Sequence, residues 1–259
     1  MEKENWELFD AEGWILAPKE KKEDFFLRKK FVENREGVFV DRSSGAHYLT
    51  KKLYGFQFVK VPVFYDNTSL LPWQGAAFWI YVEDGVSFPV IQMRTNYDKW
   101  WFFLYDEQEV LAHELVHAAR FAFNEPFFEE ILAYRTSKNV FHRFFGPLCI
   151  FPWEATVFVF LVLAGSVGFT FYSLAIFFWI PLFFASFLFF RLFFLQILFF
   201  LAKKHLEAAG VFKEKTLSLM LRLSDLEIFM AAVTSSCKIR EKFLKKKTDR
   251  LTKLILRYM

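Results

Sequence analysis

Between Glu154 and Arg191 the chain runs for 36 residues without an Asp, Glu, Lys or Arg, and apolar character resumes after Arg191 as far as Ala202. One membrane-spanning helix uses about 20 residues at a rise of about 1.5 Å each. The stretch is too long for one pass and fits two, over 155–174 and 177–201. A soluble chain of 259 residues with 38 Phe and a mean hydropathy of +0.21 could not bury that many aromatic side chains away from water.

A two-pass hairpin returns the chain to the side it came from, and charge indicates which side. Arg135, Lys138 and Arg143 precede the first span and Lys203 and Lys204 follow the second, while the connection has no Lys or Arg. Positive flanks stay cytoplasmic, so both the N- and C-terminal parts are expected there. Residues 203–259 hold 14 Lys and Arg against 6 Asp and Glu, a net charge of +8 suited to anionic lipid. Arg191 and Gln196 fall inside the second span, where Arg191 is expected to snorkel toward the basic end. Met1–Asp10 shows no basic stretch followed by an apolar one, so no secretory signal is expected. Cys149 and Cys237 are too few for a disulfide framework and suggest a reducing compartment. Three parts result: 1–150, a transmembrane hairpin over 151–202, and a basic helical region over 203–259.

The first part reads as mixed α and β. Val38–Val40, Tyr54–Phe64, Ala77–Val82 and Phe88–Arg94 are rich in β-branched and aromatic residues, and Glu83-Asp84-Gly85 is a turn signal between the last two. These predict a small, antiparallel-type sheet of about four strands ending in a hairpin, so the fold class is α+β. Asp106–Glu109 then places acids at the start of a helix that continues through Phe123. In the tail, Ser224–Glu227 forms a capping box ahead of Ile228–Val233, and the region is expected to be helical and to fold back on the first part.

The helix after Asp106 carries His113-Glu114-Leu115-Val116-His117. Residues four apart share a helix face, so both imidazoles can reach one zinc ion while Glu114 lies beside them as a general base. Such an ion takes a third protein ligand and keeps a position open for water. Among the following acids, Asn124-Glu125-Pro126 predicts a helix start with Glu125 in the first turn, where it suits the helix dipole. Glu129 and Glu130 come next and point about 100° apart, so only one can face the metal. The small Ala133 and the Tyr134 hydroxyl favour Glu130 and leave Glu129 open, with His142 as a weaker candidate. A third histidine six residues after His117 is absent, because Phe123 occupies that position.

His113–His117 followed by Glu130-Ile131-Leu132-Ala133-Tyr134 resembles the zincin metallopeptidases of the gluzincin type, over roughly residues 75–135. The resemblance implies zincin active-site helices standing against a sheet, Zn2+ held by His113, His117 and Glu130, and Glu114 as catalytic base. It also implies a substrate-receiving edge strand, for which Phe88–Arg94 is the candidate. The chain departs from the pattern in the 12 residues between His117 and Glu130, fewer than the better-known members use. It departs again at Tyr134, which stands where many of them have an Asp four residues after the glutamate. Tyr134, Arg120 and Arg135 are candidates for stabilising charge on a substrate oxygen. Function is expected to be zinc-dependent hydrolysis of a membrane-associated polypeptide at the surface of a lipid bilayer. The alternative is a catalytically silent adaptor or scaffold on the same fold, and the retained Glu114 speaks against it. No nucleic-acid-binding module is recognisable.

Overall fold

The computed structural model describes residues 6–34, 44–58, 60–72, 74–95, 106–172, 176–235 and Tyr258. Helices α1 (Trp6–Ala11), α2 (Lys22–Glu33) and α3 (Gly45–Tyr54) precede three strands, β1 (Val63–Tyr65), β2 (Ala76–Glu83) and β3 (Val86–Met93). Asp84 and Gly85 both adopt the left-handed conformation, with φ of 51° and 75°. A two-residue loop of that kind matches the twist of the strands it joins, so β2 and β3 form the expected hairpin.

The sheet is mixed and three-stranded, where an antiparallel sheet of about four strands was predicted: its order is β1-β3-β2, with β1 parallel to β3. Most of Tyr54–Phe64 is not strand, because Tyr54 ends α3 and Gly55 closes it in a left-handed cap at φ 74°. Phe56 and Phe58 then enter the core, and only Val63–Tyr65 pair. Val38–Val40 lie outside the described residues. β3 is central, so the assignment of Phe88–Arg94 as an edge strand is overturned. Pro89 is tolerated there because β1 begins pairing only at Ile91.

Helix α4 (Glu107–Arg120) packs against the sheet, started by the Asp106 carboxylate, which accepts from Gln108 N at 2.8 Å. The next helix, α5, spans only Glu129–Tyr134, so the predicted start at Asn124–Pro126 is not used. Asn124 turns left-handed at φ 51°, and the following loop is claimed by a distant residue. Asp225 accepts from Phe127 N at 2.8 Å, while Glu125 accepts from Asp225 N at 2.6 Å instead of lying in a first turn. The short α6 (Val140–Phe145) completes this part.

Two helices are long and apolar enough to cross a membrane, α7 (Pro152–Tyr172) and α8 (Ile176–Ala208). Pro152 opens α7 in the first turn, earlier than predicted. A Cβ at Gly165 would stand 2.6 Å from Phe177 O, so the two helices meet almost backbone to backbone. Arg191 does not snorkel. It forms a two-pronged ion pair with Glu154, which is 1% exposed, and donates to Leu148 O at 2.9 Å. Neutralising the pair within the protein leaves the guanidinium no reason to seek water. α8 has 33 residues, more than the about 20 that one span uses, and it packs against α10 (Asp225–Val233), which follows α9 (Thr216–Leu221). The capping box at Ser224 is present.

One hydrophobic cluster joins these pieces, running from Trp14 through Leu115, Leu132 and Phe199 to Met220 and Ile228. Two fully buried arginines cross-link it. Arg222 donates to Asp10 and to Tyr54 O, and Arg120 donates to Leu221 O at 2.7 Å and Leu223 O at 2.8 Å. Replacing Arg120 by Leu strands both carbonyls without a donor and takes the guanidinium from Asp225. It is expected to destabilise the protein by about 3 kcal/mol, read as a fall in melting temperature of detergent-purified protein. An unchanged melting temperature would refute this role.

Candidate metal centre

α4 turns His113, Glu114 and His117 toward a cleft of about 530 Å3, and α5 brings Glu129 and Glu130 to its opposite side. His113 Nε2 and His117 Nε2 lie 3.1 Å apart, and carboxylate oxygens of Glu130 lie 3.7 Å from the first and 3.5 Å from the second. Donors bonded tetrahedrally to zinc at about 2.05 Å are about 3.3 Å from one another, and the two ring nitrogens, with a different Glu130 oxygen facing each, lie close to that spacing. The three residues form a group that could hold a metal ion.

Glu129 takes a different part. Its carboxylate accepts from His117 Nδ1 at 2.7 Å, on the side of the ring away from Glu130. That hydrogen bond fixes the tautomer, leaving the Nε2 lone pair for a metal. Arg120 Nε stands 3.8 Å from the other Glu129 oxygen, so the buried guanidinium supports the carboxylate from behind. A carboxylate next to the candidate ligand was the available signal.

Electrostatics fit a cation site. His113 is held well below the usual imidazole range by burial and by the charge of His117. For His117 burial pulls downward, but the charge of Glu130, the hydrogen bond donated to Glu129 and the charges of Glu129 and Glu114 outweigh it and push the pKa up to about 10. Burial raises Glu114 and Glu130 to about 7 each; His117 opposes both shifts, and neighbouring carboxylates add to them. Several buried carboxylates thus converge on two imidazoles, an arrangement that a divalent cation relieves.

The other sequence candidates separate. Tyr134 lines the cleft with its ring against His113, centroids 4.5 Å apart, and Gly146 makes room for it, since a Cβ there would stand 2.2 Å from that ring. Arg120 lies beneath α4, and Arg135 turns to α8, donating to Gln196 at 3.1 Å. Neither reaches the cleft. His142 is buried on α6 outside the donor group, and Gln196 serves Arg135 and Phe144 O instead of a polar pathway.

Sequence reasoning missed the strand that borders the cleft, which is β2 along Gly75–Trp79. Gly75 O accepts from Arg94 N and Ala76 sits opposite Met93, so the odd-numbered residues of β2 pair with β3. The N–H and C=O groups of Ala76, Phe78 and Ile80 consequently point away from the sheet. Among the described residues no strand covers that side. Comparison of the chain with protein-family models, with curated proteins and with solved structures finds no match.

Two outcomes follow from this geometry. Glu129→Gln is expected to weaken zinc binding by about 10- to 100-fold and Glu130→Gln by more; equal zinc affinity in Glu129→Gln and wild type would contradict the tautomer argument. Ligation also requires His117 and Glu130 to give up their protons, so zinc affinity must rise with pH. Chelator competition should show about 100-fold per pH unit below pH 7, where both protons are displaced, and about tenfold per unit from pH 7 toward pH 10, where only that of His117 remains. A flat profile between pH 6 and pH 8 would contradict the assignment.

Proposed function

We propose that the protein is a membrane-anchored zinc metallopeptidase of gluzincin-like design. The observation that carries the reading is the convergence of His113 Nε2, His117 Nε2 and the Glu130 carboxylate, 3.1 to 3.7 Å apart, in a cleft bordered by a strand edge that no other described strand covers. α7 and α8 cross the bilayer, with the Lys- and Arg-bearing flanks on the cytoplasmic side.

Zinc held by these residues supplies Lewis acidity, polarising a peptide carbonyl and easing deprotonation of water near neutral pH. The chain supplies the rest. The outward N–H and C=O groups of Ala76 and Phe78 hold an extended polypeptide by strand addition. Glu114, beside the ligands and 7% exposed, takes a proton from the attacking water and delivers it to the amine nitrogen as the C–N bond breaks. Tyr134, whose ring packs on His113 and lines the cleft, donates to the developing oxyanion in this reading. Glu129 keeps His117 in register.

The base and the ligands are separable by experiment. Glu114→Gln keeps the shape of the side chain but cannot accept the proton, so zinc content should stay at one per chain while turnover of a membrane-protein substrate falls about 100-fold or more. His117→Ala should lose the zinc itself. Wild-type turnover by the Glu114→Gln variant would remove the base from the mechanism, and equal zinc in His117→Ala and wild type would remove the site.

A further inference from the structure

α6 turns its apolar side outward. Val140 is 70% exposed and Phe141 64%, an arrangement that water disfavours. The setting of the helix explains it. Phe144 and Phe145 lie 5.4 Å and 6.5 Å from the rings of Phe193 and Phe189 on α8, and Phe141 packs on Phe145 at 4.6 Å. Along α8, large exposed apolar residues run from Phe178 to Phe200, ahead of Lys203. At 1.5 Å per residue that is about 33 Å, one hydrocarbon thickness. Phe193 and Phe189 therefore stand about 10 Å and 16 Å inside the end marked by Phe200, and α6 flanks them.

A second observation is independent of exposure. Within a bilayer, backbone outside a long helix is tolerated only where protein satisfies its polar groups. From Phe144 to Phe151 membrane-helix side chains do so: Gln196 donates to Phe144 O at 3.0 Å, Arg191 donates to Leu148 O at 2.9 Å, and Glu154 accepts from Ile150 N at 2.8 Å and Phe151 N at 3.2 Å. Trp153, 55% exposed, adds an aromatic side chain of the type enriched at membrane interfaces.

From these observations we infer that α6 and the segment through Trp153 form a lip sunk into one leaflet, with Val140 and Phe141 against acyl chains near the headgroup boundary. The inference rests on the reading of α7 and α8 as membrane spans. Because Cys149–Pro152 and Ala155 continue the lip and wall the cleft, and Leu148 and Glu154 bond Arg191 between Phe189 and Phe193, the cleft opens inside the headgroup boundary of that leaflet. The substrate class it fits is a polypeptide segment within a few residues of its own membrane span.

The test uses the full chain with Cys149 and Cys237 replaced by Ser, reconstituted in phosphatidylethanolamine and phosphatidylglycerol vesicles. Nitroxide labels are placed singly at positions 140, 141, 183 and 48. Phe183, 80% exposed on α8, is the lipid reference, and Tyr48, 63% exposed on α3, is the water reference. Labels at 140 and 141 should collide with oxygen in preference to a water-soluble nickel chelate, at a ratio severalfold above that at 48 and close to that at 183. Water-like ratios at 140 and 141 with a lipid-like ratio at 183 would overturn the lip and leave the spans standing. A water-like ratio at 183 would overturn the spans and the lip together. A second measurement needs no label: acyl-brominated lipid should quench wild type more than Trp153→Phe, and equal quenching would also overturn the lip.

Discussion

The arrangement around the cleft depends on one buried guanidinium. Arg120 ends α4 three residues after His117 and has no exposure to water. Isolated, it would carry a large desolvation cost, so its surroundings are organised to satisfy it. Leu221 O, Leu223 O, Asp225 and Glu129 converge on it, and the Phe123 ring lies 4.5 Å from the charge. These contacts bind together the end of the histidine-bearing helix, the carboxylate that orients His117, and the junction of α9 with α10. Asp225 then passes the constraint on to the loop before α5. The spacing of the three donor atoms is set from behind as much as by the ligands.

Much of this was legible where chemistry is local. The uncharged run from Ala155 to Phe190 implied two long apolar helices, Asp84-Gly85 implied a tight hairpin, and Ser224 with Glu227 implied a capped helix, because each signal lies within a few residues of its result. His113 and His117 share a face by helical geometry alone. The divergence of Glu129 and Glu130 was readable too, though only as an alternative between them. In the structure both are engaged, one on each side of the His117 ring.

What was not legible depended on partners far along the chain. Asn124-Glu125-Pro126 has the composition of a helix start, yet Asp225 captures the amides that would have begun the helix. Arg191 in isolation looks like a snorkelling residue, because nothing near it in sequence announces Glu154, 37 residues away. Strand order was equally hidden. β2 and β3 are both rich in β-branched and aromatic residues, but composition does not say which strand lies outermost, and the parallel pairing of β1 put β3 in the middle. The aromatic segment around Phe56 and Phe58 has strand-like composition and was used to fill the core.

The distances in sequence between Arg120 and its acceptors have a consequence for biogenesis. Leu221 and Leu223 lie 101 and 103 residues downstream, beyond both apolar helices. A ribosome that has just finished α4 and α5 has not yet made the carbonyls that hold them in place. These contacts are therefore completed late, after both apolar helices have been synthesised. A nascent chain stalled before α9 would hold His113, His117 and Glu130 and lack the contacts that fix their helices, so order of synthesis itself delays the assembled cleft until α9 and α10 are made.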